Sequence, residues 1–340
     1  MKNASTLKRF GQCSGLGIDV SQASLEVCGT ENETVWRVEL TNTRADIEAL
    51  ARTLHQGNYH GKIVCESTGH HHLLLGLVFA DYDLDLRIIN PLQSSKHQKS
   101  RIRKTKTDQM DGYVLATMCV TERDLPKAAQ LRPKQVLMRL KQGQLQALDK
   151  QIQRMSRSLA TYAKTYQNLS LDPGDSVEML TDILKQLKAV KRQLEKELEA
   201  LFIDQANRDD IDRVRALPGF SPLVSGLVSC VFDRQAKSDR SWIAFAGYDV
   251  SVRESGTWKG KGKLTKRGNS YIRKRLYCAA WGANMHYPEV HQYYETLKAQ
   301  GRNHVEALCI IAKKLLRVAY AVLVKGKIYD AEIAFPAPTG

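Results

Sequence analysis

Four carboxylates stand where they could share one cation: Asp19 in Gly17-Ile-Asp-Val20, Glu66 in Val64-Cys-Glu-Ser67, and the pair Asp108 and Asp111. The last two are spaced i, i+3, which puts them on one face of a helix. Four oxygen donors converging on one point are what hard Mg²⁺ requires, and Mn²⁺ suits the same ligands. Two such ions roughly 3.5–4 Å apart activate a nucleophile and stabilise the leaving oxygen in phosphoryl transfer. The plainer reading makes Asp19 and Glu66 polar strand ends and lets Asp108 and Asp111 complement a helix N-terminus. Each acid alone favours that reading. The four together, in a basic chain, favour a metal centre.

Cations crowd the approach to Asp108: Lys96, His97, Lys99, Arg101, Arg103, Lys104 and Lys106. Such a segment beside an acidic metal site would guide a phosphate backbone towards it. A second constellation runs from Arg253 to Arg275. Glycines alternate with Lys259, Lys261 and Lys263, followed by Lys266, Arg267, Arg273, Lys274 and Arg275, which reads as a flexible, phosphate-seeking loop leading into a basic helix. Within Glu254-Ser-Gly256 only Ser255 could act as an oxygen nucleophile. A serine before glycine is more often an ordinary turn residue, and no His–Asp arrangement that would activate it is recognisable. His70, His71 and His72 point in different directions on a helix, so a histidine metal site is disfavoured. Tyr248, Trp258, Tyr271, Tyr277 and Trp281 interleave with the cations and could stack on bases, although aromatic residues on helices are more often core.

The first third alternates strand and helix signals that would position the acids. Gly15–Val20, Leu25–Gly29 and Thr34–Leu40 read as strands, and Asn42 or Thr43 as the cap of a helix to about His55, with Ile47, Leu50, Ala51 and Leu54 on one face. Lys62–Glu66 reads as a fourth strand, Gly69–Ala80 as a helix, Leu84–Ile89 as a fifth strand, and a helix runs from about Asp108 through Val120. The order β-β-β-α-β-α-β-α matches an RNase H-like superfold. The middle third carries two seams of three-and-four spacing. Leu145, Leu148, Ile152, Met155, Leu159, Tyr162 and Tyr166 form the first. Val177, Leu180, Leu184, Leu187, Leu194, Leu198 and Leu201 form the second, after a break at Asp172-Pro-Gly-Asp175. An intramolecular hairpin and a dimerising coiled coil fit this pattern equally. In the last third, Val214-Arg-Ala-Leu-Pro-Gly-Phe-Ser221 resembles the hairpin of a helix-hairpin-helix, in which Gly219 would grip phosphate through backbone N–H groups. Ser221 stands where a second glycine is usual.

The chain has a net charge of +15 and a pI near 9.4, which points to a polyanionic partner. Seven cysteines are scattered without a C-x-x-C pair, as expected of reduced thiols in a cytoplasm and not of a zinc ribbon. The longest apolar run, around Leu73 to Ala80, is too short to span a bilayer, and residues 1–12 lack an apolar signal core. A soluble, cytoplasmic protein with no membrane partner is the expectation.

These motifs, with Ile89-Asn-Pro91 and Lys106-Thr-Asp108-Gln-Met-Asp111 in the first half and Leu217-Pro-Gly219, Ala244-Phe-Ala-Gly247, Glu254-Ser-Gly256 and Lys266-Arg-Gly268 in the second, resemble the DEDD transposases. That family comprises the insertion-sequence 110 group and the related Piv-type DNA invertases. The resemblance covers nearly the whole chain in matching order. It implies an N-terminal tail (1–13), a RuvC-like catalytic domain (14–125), a helical coiled-coil linker (126–207) and a helical transposase domain (208–340). It further implies that Ser255 attacks a DNA phosphate to form a phosphoserine intermediate, in a composite site with the Mg²⁺-binding acids across subunits of a homodimer or homotetramer. Double-stranded DNA is the implied substrate and a structured guide RNA the implied partner of many members. Where the family reads Gly-Leu-x-Pro, this chain has Gly247-Tyr-Asp-Val250. Two readings remain beside it: a junction-type nuclease with the same acids and water as nucleophile, and a non-catalytic nucleic-acid-binding protein.

Overall fold

The computed structural model describes residues 7–31, 34–67, 69–99, 108–251, 254–255, 258–259 and 262–336, with residues 99, 108–110, 254, 255, 258, 259 and 263 described by backbone alone. Arg101, Arg103, Lys104, Lys106 and Lys261 lie outside the described residues. The chain divides into two compact units, residues 1–140 and 141–340.

The first unit is built on a five-stranded mixed sheet of order β3-β2-β1-β4-β5, with β1 (Gly15–Val20), β2 (Ser24–Glu31), β3 (Thr34–Thr41), β4 (Lys62–Glu66) and β5 (Leu86–Ile89). β1 pairs antiparallel with β2 and parallel with β4, and β5 extends the parallel side. Leu16, Ile18 and Val20 join Leu25, Val27, Ile63 and Cys65 in one core. It is closed by α1 (Arg44–Gln56), through Ile47, Leu50, Ala51 and Leu54, and by α2 (His72–Asp81). Thr43 caps α1 and accepts from the Asp46 amide, while the Asp46 carboxylate accepts from the Thr41 amide at 2.9 Å, so the strand end and helix start are tied together. α3 (Pro91–Lys99) occupies a stretch without apolar periodicity; proline opens it, and Leu92 is exposed.

The opposite face of the sheet carries α4 (Asp108–Thr121), where Val114, Leu115 and Met118 pack with Val64 and Ile89. Glycines in β1 permit this approach. A Cβ at Gly17 would lie 2.2 Å from the Ala116 nitrogen and the Gly112 oxygen, and one at Gly15 would lie 2.4 Å from the Cys119 Cβ.

The second unit begins inside the long helix α5 (Pro133–Leu169), which pairs with α6 (Ser176–Gln205). Leu148, Ile152 and Leu184 form their common core, with Met155, Leu159, Leu187 and Leu194 packed against it. The two seams thus meet within one chain as a helical hairpin. Phe202 at its base fits against Gly226, where a Cβ would lie 2.5 Å from the Phe202 Cβ. The remainder is helical: α7 (Arg208–Arg215), α8 (Pro222–Val231), α9 (Asp239–Ala246), α10 (Ser270–His286), α11 (Pro288–Ala299), α12 (His304–Val324) and α13 (Ala331–Ala334). Four two-residue strands form two small ladders, Val250–Ser251 with Lys263–Leu264 and Glu254–Ser255 with Trp258–Lys259. Among the described residues, no helix is long and apolar enough to cross a membrane.

Candidate active site

Strand alternation decides where the acids point. Because Gly15 and Gly17 face α4, Asp19 faces it too, while Ile18 and Val20 enter the opposite core. The same rule places Glu66 on the α4 face, since Val64 packs there and Cys65 does not. β1 and β4 run parallel in register up to Ile18 and Cys65, so the next step sets Asp19 beside Glu66 at the strand ends. α4 runs antiparallel to β1: Gly112 lies over Gly17, and Ala116 and Cys119 lie over Gly15. Its N-terminal turn therefore reaches the end of β1 that carries Asp19. Asp111 immediately precedes Gly112, and Asp108 begins the helix one turn earlier. The buried Cys65 thiol is pushed up to about 12, first by burial and then by the charges of Glu66 and Asp19.

Asp19, Glu66 and Asp111 thus approach one corner of the sheet, and their oxygen donors suit a hard divalent cation. Among the described residues, however, no group of three or more His, Cys, Asp or Glu closes on a point as a metal shell would. The side chain of Asp108 is not among them.

Register adds residues that sequence patterning missed. Asp19 pairs directly with Glu26, and Glu26 with Glu39. With Glu66 they form a row of four carboxylates across β3, β2, β1 and β4 on the α4 face. Glu26 reaches α4 as well, its Cγ lying 3.8 Å from where a Cβ on Gly112 would sit. Like charges directly opposite on a sheet repel, and a cation shared by the row would relieve that repulsion. The alternations Leu25-Glu-Val27 and Val38-Glu-Leu40 were available signals, but only register aligns them with Asp19.

Of the candidate nucleic-acid contacts, Lys96 is exposed on α3, with Lys99 at that helix's end. Lys266 and Arg267 are exposed before α10. Lys259, Lys263 and Ser255 sit in the short ladders, Ser255 paired with Trp258. Others face inward. Lys274 Nζ lies 2.8 Å from Asp149, and Arg275 lies 2.9 Å from Glu195 and 3.9 Å from Asp149. Lys191 completes the network at 2.8 Å from Asp149. Arg273 donates to the carbonyls of Ala246 and Gly268 at 3.3 Å. Three consecutive cations thus have internal partners, and the acids that meet Lys274 and Arg275 come from α5 and α6, more than seventy residues away. Gly219 has φ +72° and abuts α10, where a Cβ would lie 2.1 Å from the Ala279 oxygen, so it serves helix packing. Ser221, in place of the usual glycine, caps α8 by accepting from the Val224 amide at 3.3 Å. In Gly247-Tyr-Asp-Val250, Tyr248 is buried and its hydroxyl donates to the Arg273 carbonyl at 2.8 Å, while Asp249 accepts from Thr265. His97 Nδ1 lies 2.7 Å from Glu122, and the rings of His70 and His71 lie 4.8 Å apart, tilted by 43°.

Two family models match this chain. The DEDD transposase model of IS110 type covers residues 16–168, and that of the transposase IS116/IS110/IS902 family covers residues 211–295; together they span more than two thirds of the chain. Similar proteins include a pilin gene-inverting protein of Moraxella bovis, 22% identical over 94% of this chain and 98% of that protein. The insertion element IS116 44.8 kDa protein of Streptomyces clavuligerus is 25% identical over 49% of this chain and 41% of its own length. The insertion element IS110 43.6 kDa protein of Streptomyces coelicolor is 23% identical over 45% and 37%.

Proposed function

We propose that this chain, which belongs to the IS110 family of transposases and is therefore a DNA recombination enzyme, cuts and rejoins DNA with two separate sets of residues. The first is the acidic set of an RNase H-like domain: Asp19, Glu66, Asp108 and Asp111 would hold Mg²⁺ or Mn²⁺. When bound, the cation supplies electrostatic stabilisation of the charge developing on the transferring phosphate. The second is Ser255. Its Oγ forms a bond to the DNA phosphorus while the P–O bond to one strand end breaks, and the serine proton ends on the released strand hydroxyl. Attack by a new strand end reverses the step and frees Ser255. The single observation that carries the reading is the shared face: strand alternation and register aim Asp19 and Glu66 at the N-terminal turn of the helix that begins with Asp108.

The exposed cations Lys96, Lys266 and Arg267, with those outside the described residues, would hold DNA, and a structured guide RNA accounts for part of the net charge of +15. The protein acts in the cytoplasm as a homodimer or homotetramer. The test is recombination in a bacterial host carrying the gene with its native flanks, sequenced across those flanks. Excised circles or new insertions identify transposition, and inverted junctions identify inversion. Both should vanish in Asp19→Ala and in Ser255→Ala. Loss in Asp19→Ala alone would replace the serine mechanism with a water-using nuclease.

A further inference from the structure

The second unit contains a cavity of about 600 Å³ between the outer face of α12 and the chain segment that follows it, away from every residue assigned above. Its charge is predominantly positive. α12 contributes Lys313, Lys314 and Arg317, and the following turn contributes Lys327. Arg317 is paired with Asp239 at 2.9 Å, but among the described residues no carboxylate lies within ion-pair distance of Lys313, Lys314 or Lys327. The acid in the lining, Asp330, caps α13, accepting from the Glu332 and Ile333 amides at 2.9 and 3.2 Å, and keeps its negative charge, so three cations without an acidic partner face one carboxylate. Lys314 is held instead by aromatic faces, its Nζ 4.2 Å from the Tyr293 ring centre and 5.1 Å from that of Phe335. Rings orient an ammonium without neutralising it. Burial and repulsion from Arg317 both lower the Lys314 pKa, the state that an incoming anion would relieve.

The rim narrows the ligand. At the rim, Ile328 is 91% exposed and Ile333 81% exposed. Apolar side chains so open to water suit the sugar and base faces of a nucleotide better than a free inorganic anion. The cavity is also too small for a duplex, whereas an unpaired nucleotide can splay into it.

We infer that this cavity receives one unpaired nucleotide of a nucleic-acid strand, its phosphate against Lys313, Lys314 and Lys327 and its base or sugar against Ile328 and Ile333. The inference rests on the reading that the protein acts on nucleic acid, but its test is a binding measurement made without divalent metal, so it stands or falls separately from the recombination chemistry. Full-length protein and the variant Lys313→Glu/Lys327→Glu are titrated against fluorescent single-stranded RNA, single-stranded DNA of the same sequence, and the blunt DNA duplex, over a range of salt. The expected result is a loss of about tenfold or more for the single strands, with the log–log salt slope shallower by about 0.7 for each phosphate contact removed. Duplex binding should stay within about twofold, and the larger of the two single-strand losses identifies the strand type. A second variant, Ile328→Ser/Ile333→Ser, keeps every charge and is expected to lose single-strand affinity by about threefold. Thermal melting checks that each variant is folded, and Lys327→Ala replaces the double variant if it is not. Single-strand affinity unchanged, or single-strand and duplex affinity falling equally, overturns the inference. So does a change of molecular mass by light scattering without a change in nucleic-acid binding, which would assign the cavity to a protein copy.

Discussion

At the scale of single residues, the carboxylate row is the feature with most consequence. Glu26 stands directly opposite Asp19 and close to Gly112 on α4, so a cation held by Asp19 would also be felt by Glu26. A ligand at about 100 times its Kd stabilises a folded protein by about 2.7 kcal/mol. The gain in melting temperature on adding Mg²⁺ should therefore be large in the parent and smaller by the equivalent of roughly 1 kcal/mol in Glu26→Gln, within the range of cross-strand charge pairs. An identical gain in both would remove Glu26 from the field of the site. Asp19 and Glu66 were legible from their places at strand ends. Glu26 was not, because a neighbour across a sheet depends on register, and register is a property of two segments at once.

Elements position these residues through close contact, and two contacts are open to test. Gly17→Ala puts a methyl carbon 2.2 Å from α4 backbone atoms. The helix has to lift from the sheet, so a loss of about 3 kcal/mol or more in denaturant unfolding is expected, with recombination lost as Asp111 moves from Asp19. The second contact is the network that joins α5, α6 and α10. Burial alone would raise the Asp149 carboxyl, but hydrogen bonds from Lys191 and Lys274 outweigh it and hold the group below its ordinary range. A carboxyl depressed in the folded state contributes stability that is fully present above its unfolded pKa of about 3.9 and is lost as pH falls through the folded value. Melting temperature should therefore fall below about pH 4 more steeply in the parent than in Asp149→Asn. At neutral pH, Asp149→Asn should itself cost about 3 kcal/mol or more, because it leaves Lys274 without a counter-charge and Lys191 and Arg275 with Glu195 alone. Equal acid slopes in the two proteins would show that Asp149 does not set the acid limit.

Across the whole molecule, charge and unsatisfied apolar surface carry the predictions. Away from its core, the helical hairpin leaves Tyr162, Met179, Leu180 and Ile183 largely exposed, and a groove between its arms is lined by Met155, Leu159, Tyr166 and Val177. Apolar side chains exposed along helical seams favour association with a second helical pair. Light scattering of the purified protein should give at least twice the mass of the 38.3 kDa chain, and Met179→Glu/Ile183→Glu should shift it towards the monomer. A monomeric mass with and without nucleic acid would remove the composite-site arrangement.

The sequence by itself determined the five strands of the main sheet, α1, α2, α4, the two long amphipathic helices and the places of Asp19 and Glu66 near the ends of β1 and β4, because period-2 and period-3.6 patterns, Pro-Gly breaks and caps such as Thr43 are local signals. It also carried the family, through motifs in matching order. It could not reveal α3, whose mostly polar residues show no apolar periodicity to announce a helix. It suggested DNA contacts for Lys274 and Arg275, whose charges meet Asp149 and Glu195 across more than seventy residues of chain. It left the two seams equally ready for a partner chain or for each other. Tertiary structure alone showed α3, the internal partners of Lys274 and Arg275 and the pairing of the two seams within one chain, along with the Glu26–Glu39 row and the cavity behind α12. Each depends on which distant side chain occupies the neighbouring space, and no local pattern encodes that.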